Sequence, residues 1–151
     1  MDLQAIKRGE IYMLYELDEY LKSDMLDDYW YDDAMFVCED IIREFSENEW
    51  SELMQMIPKE DMQWNIRLVE CLGDINNQYS IDCIAIMLSE DNDDLFVYCV
   101  DSLRDMDISL LHIDDIKKIM CKAKQMLEKS TLPTQKVLET FIEKVDGLKE
   151  K

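Results

Sequence analysis

The stretch DMQWNIRLVECLGDI (residues 61–75) decides the fold, because its pattern occurs three times in the chain. AMFVCEDIIREF (34–45), WNIRLVECLGDI (64–75) and LFVYCVDSLRDM (95–106) align without gaps at offsets of 30 and 31 residues. Ile42, Leu72 and Leu103 then share one apolar column, and Phe45, Ile75 and Met106 another. Apolar positions recur at steps of three and four, the spacing of one helix face rather than the alternation of a strand. A shorter pattern follows each segment: WSELMQMI (50–57), IDCIAIML (81–88) and IDDIKKIM (113–120), at offsets of 31 and 32. The repeat therefore predicts three helix pairs.

Boundary signals agree with the pairs. Ser46 and Glu49 form a capping-box pattern, Ser80 precedes IDCI, Pro58 ends the helix before it, and Asn92, Asp93 and Asp94 are good helix starters. Gly73, near the end of its helix, either tightens the exit or lets a neighbouring helix come close. Outside the pairs, residues 2–22 read as one helix with Ile6, Met13, Leu14, Leu17 and Leu21 inward, followed by a loop over 23–28. Ile113 to Glu128 reads as a long helix, 130–133 as a break, and Thr134 to Val145 as a closing helix.

The middle unit resembles the short form of the HEAT repeat. Asp61, Leu72, Gly73 and Ile75 fit that pattern, Cys71 stands for its small residue, and Trp64 and Asn65 replace the usual Val and Arg. The resemblance covers residues 34–120 and implies an α-solenoid without any particular chemistry. The expected fold is all-α: one domain of about three HEAT-like pairs (34–120), between an N-terminal cap helix and loop (1–28) and a C-terminal cap (121–151). Terminal elements are needed because each pair leaves an apolar side bare unless something stacks on it.

Composition narrows the function. The 151 residues carry 35 acids against 16 bases, a formal charge of -19. That excess is far more than solubility needs, and it argues against nucleic acid and anionic membrane as partners, since both require a basic footprint. A cation or a basic protein is the expected partner. No apolar run approaches a membrane span and no signal-peptide pattern opens the chain, so a cytoplasmic location is expected. Cys38, Cys71, Cys83, Cys99 and Cys121 sit in apolar helical patterns without a C-x-x-C pair and read as reduced core residues. The eleven Met residues, among them Met35, Met54, Met56, Met87, Met106 and Met120, read as adaptable core filling.

Charge is uneven along the chain. Residues 1–115 hold 30 acids and 7 bases, residues 116–151 hold 5 acids and 9 bases. The acids crowd the connections into the first helix of each pair: Asp27, Asp28, Asp32 and Asp33, then Glu60 and Asp61, then Glu90, Asp91, Asp93 and Asp94. Stacked repeats would bring these junctions into one ridge at a spacing of roughly 10 Å. The same acids also cap free N–H groups and complement helix dipoles, but four at two junctions exceed that need. Trp30, Trp64 and Tyr98 lie beside the clusters and are the candidate aromatic anchors. Within the run Tyr29, Trp30, Tyr31, helical geometry forces at least one ring into solvent.

Catalytic and metal chemistry find little footing. His112 is the one histidine, no nucleotide-binding, hydrolase or zinc motif occurs, and no catalytic residue, cofactor or metal is expected. An EF-hand counted from Asp91 would place Phe96 where Gly belongs and Ser102 where Glu belongs. In size, charge and lack of catalytic groups the chain resembles bacterial immunity proteins of contact-dependent growth inhibition and related systems. The resemblance implies a monomer that neutralises a basic cognate toxin, a nuclease effector, by covering its active site or substrate surface. Two alternatives stand beside it: a HEAT-like adaptor holding a basic segment, and a DNA mimic that titrates a nucleic-acid-binding protein.

Overall fold

In the computed structural model, residues 1 and 3–149 are described, and among them there is helix and no strand. The elements are α1 (Leu3–Lys7), α2 (Tyr12–Lys22), α3 (Asp27–Tyr29), α4 (Met35–Arg43), α5 (Glu47–Met56), α6 (Met62–Leu72), α7 (Gln78–Leu88), α8 (Asp93–Leu103), α9 (Ile113–Leu127) and α10 (Leu132–Lys149). Single 3-10 turns occupy Ile57–Lys59 and Ile108–Leu110. The three predicted pairs correspond to α4 with α5, α6 with α7, and α8 with α9.

Side by side, α4 packs on α6, α6 on α8 and α8 on α10, while α5 packs on α7 and α9 on α10. The repeat columns supply the core these contacts share. Ile42, Leu72 and Leu103 are buried, as are Ile75 and Met106, and Phe45 is half-buried with its ring edge-on to Trp50 at 5.3 Å. Met56, Met87, Met106 and Met120 fill this core, and Met35 and Met54 pack against it. Cys38, Cys71, Cys83 and Cys99 are buried free thiols. Cys121 departs from expectation: it lies on the solvent side of α9 and is exposed.

Start and stop signals resolve in detail. Ser46 accepts from the Glu49 N–H, and Glu49 in turn accepts from the Ser46 N–H, a complete capping box at α5. Asp61 and Asn92 accept from the Trp64 and Leu95 N–H groups at 2.9 Å and cap α6 and α8. At α7 the cap is Asn77, and Ser80 answers it from inside the first turn, so the helix starts earlier than Ser80 suggests. Pro58 falls in the 3-10 turn after α5. Pro133 lies within the first turn of α10, not in a break before it, where its missing N–H costs the helix nothing.

The predicted single helix over 2–22 is broken. Gly9 adopts φ +75°, the Gly9 N–H reaches the Ile6 carbonyl and the Glu10 N–H reaches the Ala5 carbonyl, a Schellman stop. The chain restarts as α2, which lies across α4, α5 and α6. Polar ties hold it there. The buried Asp18 accepts from the Trp64 indole at 3.1 Å, and Arg67 donates to the Leu21 and Ser23 carbonyls at 3.1 and 2.8 Å, closing the C-terminal end of α2. At the other end of the molecule Lys144 of α10 donates to the carbonyls of Leu103, Arg104 and Met106, which satisfies the end of α8.

Candidate functional site

The predicted acidic ridge is exposed in part and already occupied in part. Asp27, Asp28, Asp32 and Asp33 lie exposed on α3 and on the π turn Trp30–Ala34 that joins it to α4. Asp61 is engaged as a helix cap, and half-buried Glu60 lies near the Lys22 ammonium at the end of α2. Asp93 pairs with Lys122 of α9 at 3.0 Å, and the same ammonium sits 4.8 Å over the Phe96 ring. Asp91 and Asp93 border a cavity with Lys118 and Lys122, so part of the basic helix neutralises this junction. The α6 and α8 junctions do meet, through the Asn92 amide against the Met62 sulfur at 3.2 Å.

Two of the expected anchors are corrected. Trp30 and Trp64 are each 2% exposed. Trp64 is held in the core by Asp18, and Trp30 carries the Arg67 guanidinium over its ring at 5.3 Å. Neither offers a surface to a partner. Beside the acidic clusters, Tyr29, Tyr31 and Tyr98 reach solvent, at 50%, 45% and 38% exposure.

Tyr31 and Tyr98 mark a different surface, the groove between α6 and α8. Its N-terminal half is a pocket of about 340 Å³ lined by Met62, Ile66, Asp94, Val97, Tyr98 and Thr134. Its C-terminal half is a pocket of about 320 Å³ whose lining includes Tyr31, Glu70, Asp74, Asp101, Arg104 and Asp105. Gly73 brings the two helices together: a Cβ there would stand 3.2 Å from the Ser102 hydroxyl, which itself donates to the Val69 carbonyl at 3.2 Å. Close packing, not a left-handed backbone, is why glycine suits this position.

The repeat alignment contains this surface. Asp40, Glu70 and Asp101 share one column, Glu44, Asp74 and Asp105 another, and Phe36, Ile66 and Val97 a third. The three columns are four residues apart, so they lie along one stripe of each helix. Because α4, α6 and α8 are neighbours, the stripes form a sheet of carboxylates beside an apolar row. The signal was therefore present in columns that do not build the core.

The charge at this face is poorly compensated. Burial pushes the Glu39 carboxyl, 5% exposed, up to about 7, and Asp74 beside it adds to the rise while Arg43 opposes it. Glu70 is raised by burial, although the Tyr31 hydroxyl, the Trp30 indole and Arg67 each pull it back. Burial and Glu70 together raise the Tyr31 phenol. Arg104 pairs with Asp101, and Asp40 with Arg43 at 3.4 Å, leaving Glu44, Glu70, Asp74 and Asp105 without an ion pair among the described residues.

Glu39 makes stability depend on pH in a stated direction. Its folded pKa of about 7 exceeds the ordinary 4.5, so the folded chain holds a proton that the unfolded chain has lost. The resulting stability is complete below about pH 4.5 and is lost as pH rises through about 7, a change of about 3 kcal/mol. Urea midpoints measured at about pH 5 and pH 7.5 should therefore shift less for Glu39→Gln than for the parent. Equal shifts in the two proteins would show that Glu39 is ionised throughout.

Among the described residues no group of three or more His, Cys, Asp or Glu is arranged to hold a metal ion, and no helix is long and apolar enough to cross a membrane. The arrangement is suited to holding cationic groups against an apolar floor. Comparison with the models of protein families, with curated proteins and with solved structures finds no match.

Proposed function

We propose that this chain is a non-catalytic inhibitor that binds one basic protein, with the face of α4, α6 and α8 as its docking surface. One observation carries the reading. Two acid columns, Asp40/Glu70/Asp101 and Glu44/Asp74/Asp105, recur on three adjacent helices beside the apolar row Phe36/Ile66/Val97. Six acids recur there in register, and Arg43 and Arg104 pair with only two of them, Asp40 and Asp101. In the full proposal the helix pairs form a short HEAT-like α-solenoid in the cytoplasm, and the chain acts as an immunity protein. Its partner is a basic toxin domain, a nuclease effector, whose phosphate-binding surface meets the carboxylates. Long-range attraction speeds the encounter, and Tyr31, Tyr98 and the apolar row slow release.

The experiment is co-expression with the product of the adjacent gene, followed by purification and a nuclease assay. The expected outcome is an equimolar complex without nuclease activity, and survival of cells that otherwise die. Two polypeptides that migrate apart, with the toxin still active, would end the immunity reading. The groove between α6 and α8 also favours an adaptor as second reading. It is about three turns long and accommodates a basic helix laid along it. An adaptor predicts a complex in which the partner keeps its activity.

A further inference from the structure

We infer that the groove between α9 and the end of α10 is a binding site for a free medium-chain fatty-acid anion, an aliphatic chain ending in a carboxylate. Ile113, Ile116, Met120 and Cys121 line it with apolar surface. Lys117 and Lys124 of the same helix and Lys149 of α10 complete the lining, and no carboxylate takes part in it. Positions 113, 116, 117, 120, 121 and 124 fall on one face of a helix, so the groove runs along α9. Its apolar surface continues from the core into solvent: Met120 is 6% exposed and Ile113 61%. The cavity measures about 280 Å³, room for a chain of roughly eight to ten carbons.

Charge selects an anion for this groove. The chain has 35 acids against 16 bases, yet Lys117, Lys124 and Lys149 converge on one cavity, and none of them has an ion pair among the described residues. All three are exposed, and their ammonium groups swing on four-carbon stems, so they can gather on a carboxylate held in the groove. The acidity of the whole molecule does not forbid this. Residues 116–151 hold 5 acids and 9 bases, and charges farther off are screened beyond about 8 Å at physiological salt.

The apolar lining selects an alkyl chain. An extended peptide laid there would lose water from its backbone N–H and C=O groups and find only ammonium groups to meet them, whereas an alkyl chain has no polar group to satisfy. An anionic membrane surface would approach a body of net charge -19, and a single dissolved anion meets only the local field. The site shares no residue with the acidic face of α4, α6 and α8, and the inference goes beyond the inhibitor reading without resting on it.

The test titrates hexanoate, octanoate and decanoate into the isotope-labelled full chain at about pH 7.5, followed by NMR. The amide signals of residues 113–124 should move, with affinity rising about two- to fourfold for each added methylene. Octyltrimethylammonium, of similar chain length and opposite charge, should leave those signals in place. Lys117→Glu with Lys124→Glu should weaken decanoate at least about fivefold, and Lys129→Glu with Lys136→Glu, an equal change of net charge outside the groove, should not. Ile113→Ser, at an exposed position that folding does not need, should flatten the dependence on chain length. Affinity indifferent to chain length, equal binding of the cationic amphiphile, or equal weakening by both lysine pairs overturns the proposal. So does binding to vesicles of an anionic phospholipid without binding of free decanoate, since the face would then belong to a membrane surface. The outcome is separate from the inhibitor reading, because neither the acidic face nor a basic partner enters the titration.

Discussion

Replacing Glu49 with alanine is expected to lower the unfolding free energy by about 3–4 kcal/mol, because one carboxylate closes two helices. Glu49 is 4% exposed. Its Oε1 accepts from the Ser46 N–H at 3.1 Å, which completes the cap of α5. Its Oε2 accepts from the Leu14 N–H at 2.7 Å, thirty-five residues away in the first turn of α2. Ile11, the residue ahead of α2, supplies no side-chain cap of its own. Glu49 is therefore the N-cap of a helix to which it does not belong, and its negative charge faces the positive end of that helix. Alanine leaves the Leu14 N–H buried and unpaired and removes the acceptor of the Ser46 N–H. Glutamine keeps one acceptor at the site, so Glu49→Gln should cost about half as much. Urea unfolding checks this: the midpoint should fall at unchanged slope, and a loss below about 1 kcal/mol for Glu49→Ala would show that water replaces the carboxylate.

That double role shows where sequence reading stops. The capping box of Ser46 and Glu49 is a local pattern, three residues apart, and is legible without any structure. The bond to Leu14 is not, because nothing in the spacing of residues 14 and 49 says that α2 crosses α5. Arg67 is similar. In the alignment it falls in a column with Val37 and Tyr98, yet it caps α2 and lies over Trp30. Periodicity finds which residues face inward; it does not find which polar residue reaches across to another element.

The acidic face of α4, α6 and α8 escapes sequence reading for a related reason. Acids at helix starts stand out as runs in the sequence, such as Asp93 and Asp94, but such runs are also where capping and ion pairing consume charge. Asp61 caps α6 and Asp93 pairs with Lys122. Acids spaced by four, as Asp101 and Asp105 are, do not form a run and look like ordinary solvated positions on one helix. Only when three such helices lie side by side do they become a single field. Trp30 and Trp64 illustrate the same limit: an aromatic flanked by acids reads as an anchor, while the π turn after Tyr29 buries Trp30 and Ala34 and leaves Tyr31 outside.

The two acidic surfaces can be told apart by reversing four aspartates at a time. In the groove set, Asp40, Asp74, Asp101 and Asp105 become lysine; in the edge set, Asp32, Asp33, Asp93 and Asp94 do. Each set changes net charge by the same amount, so a difference between them reports position and not total charge. Steering depends on the field where the partner lands, and a lining of one sign over a low-dielectric floor concentrates that field. With the cognate basic protein, the groove set should slow association about 100-fold at low salt and only a few-fold near about 0.5 M salt, where the screening length shrinks to a few ångströms. The edge set should slow it less than about tenfold, because its carboxylates sit on exposed helix starts and not in the acid columns, with Lys118 and Lys122 beside Asp93. Stopped-flow association across a salt series measures both, with thermal melts confirming that each variant is folded. If the edge set has the larger effect, the partner meets the helix junctions, and the carboxylates of α4, α6 and α8 are only a solvated face. If both rates ignore salt, neither surface steers the encounter and a basic partner is the wrong class.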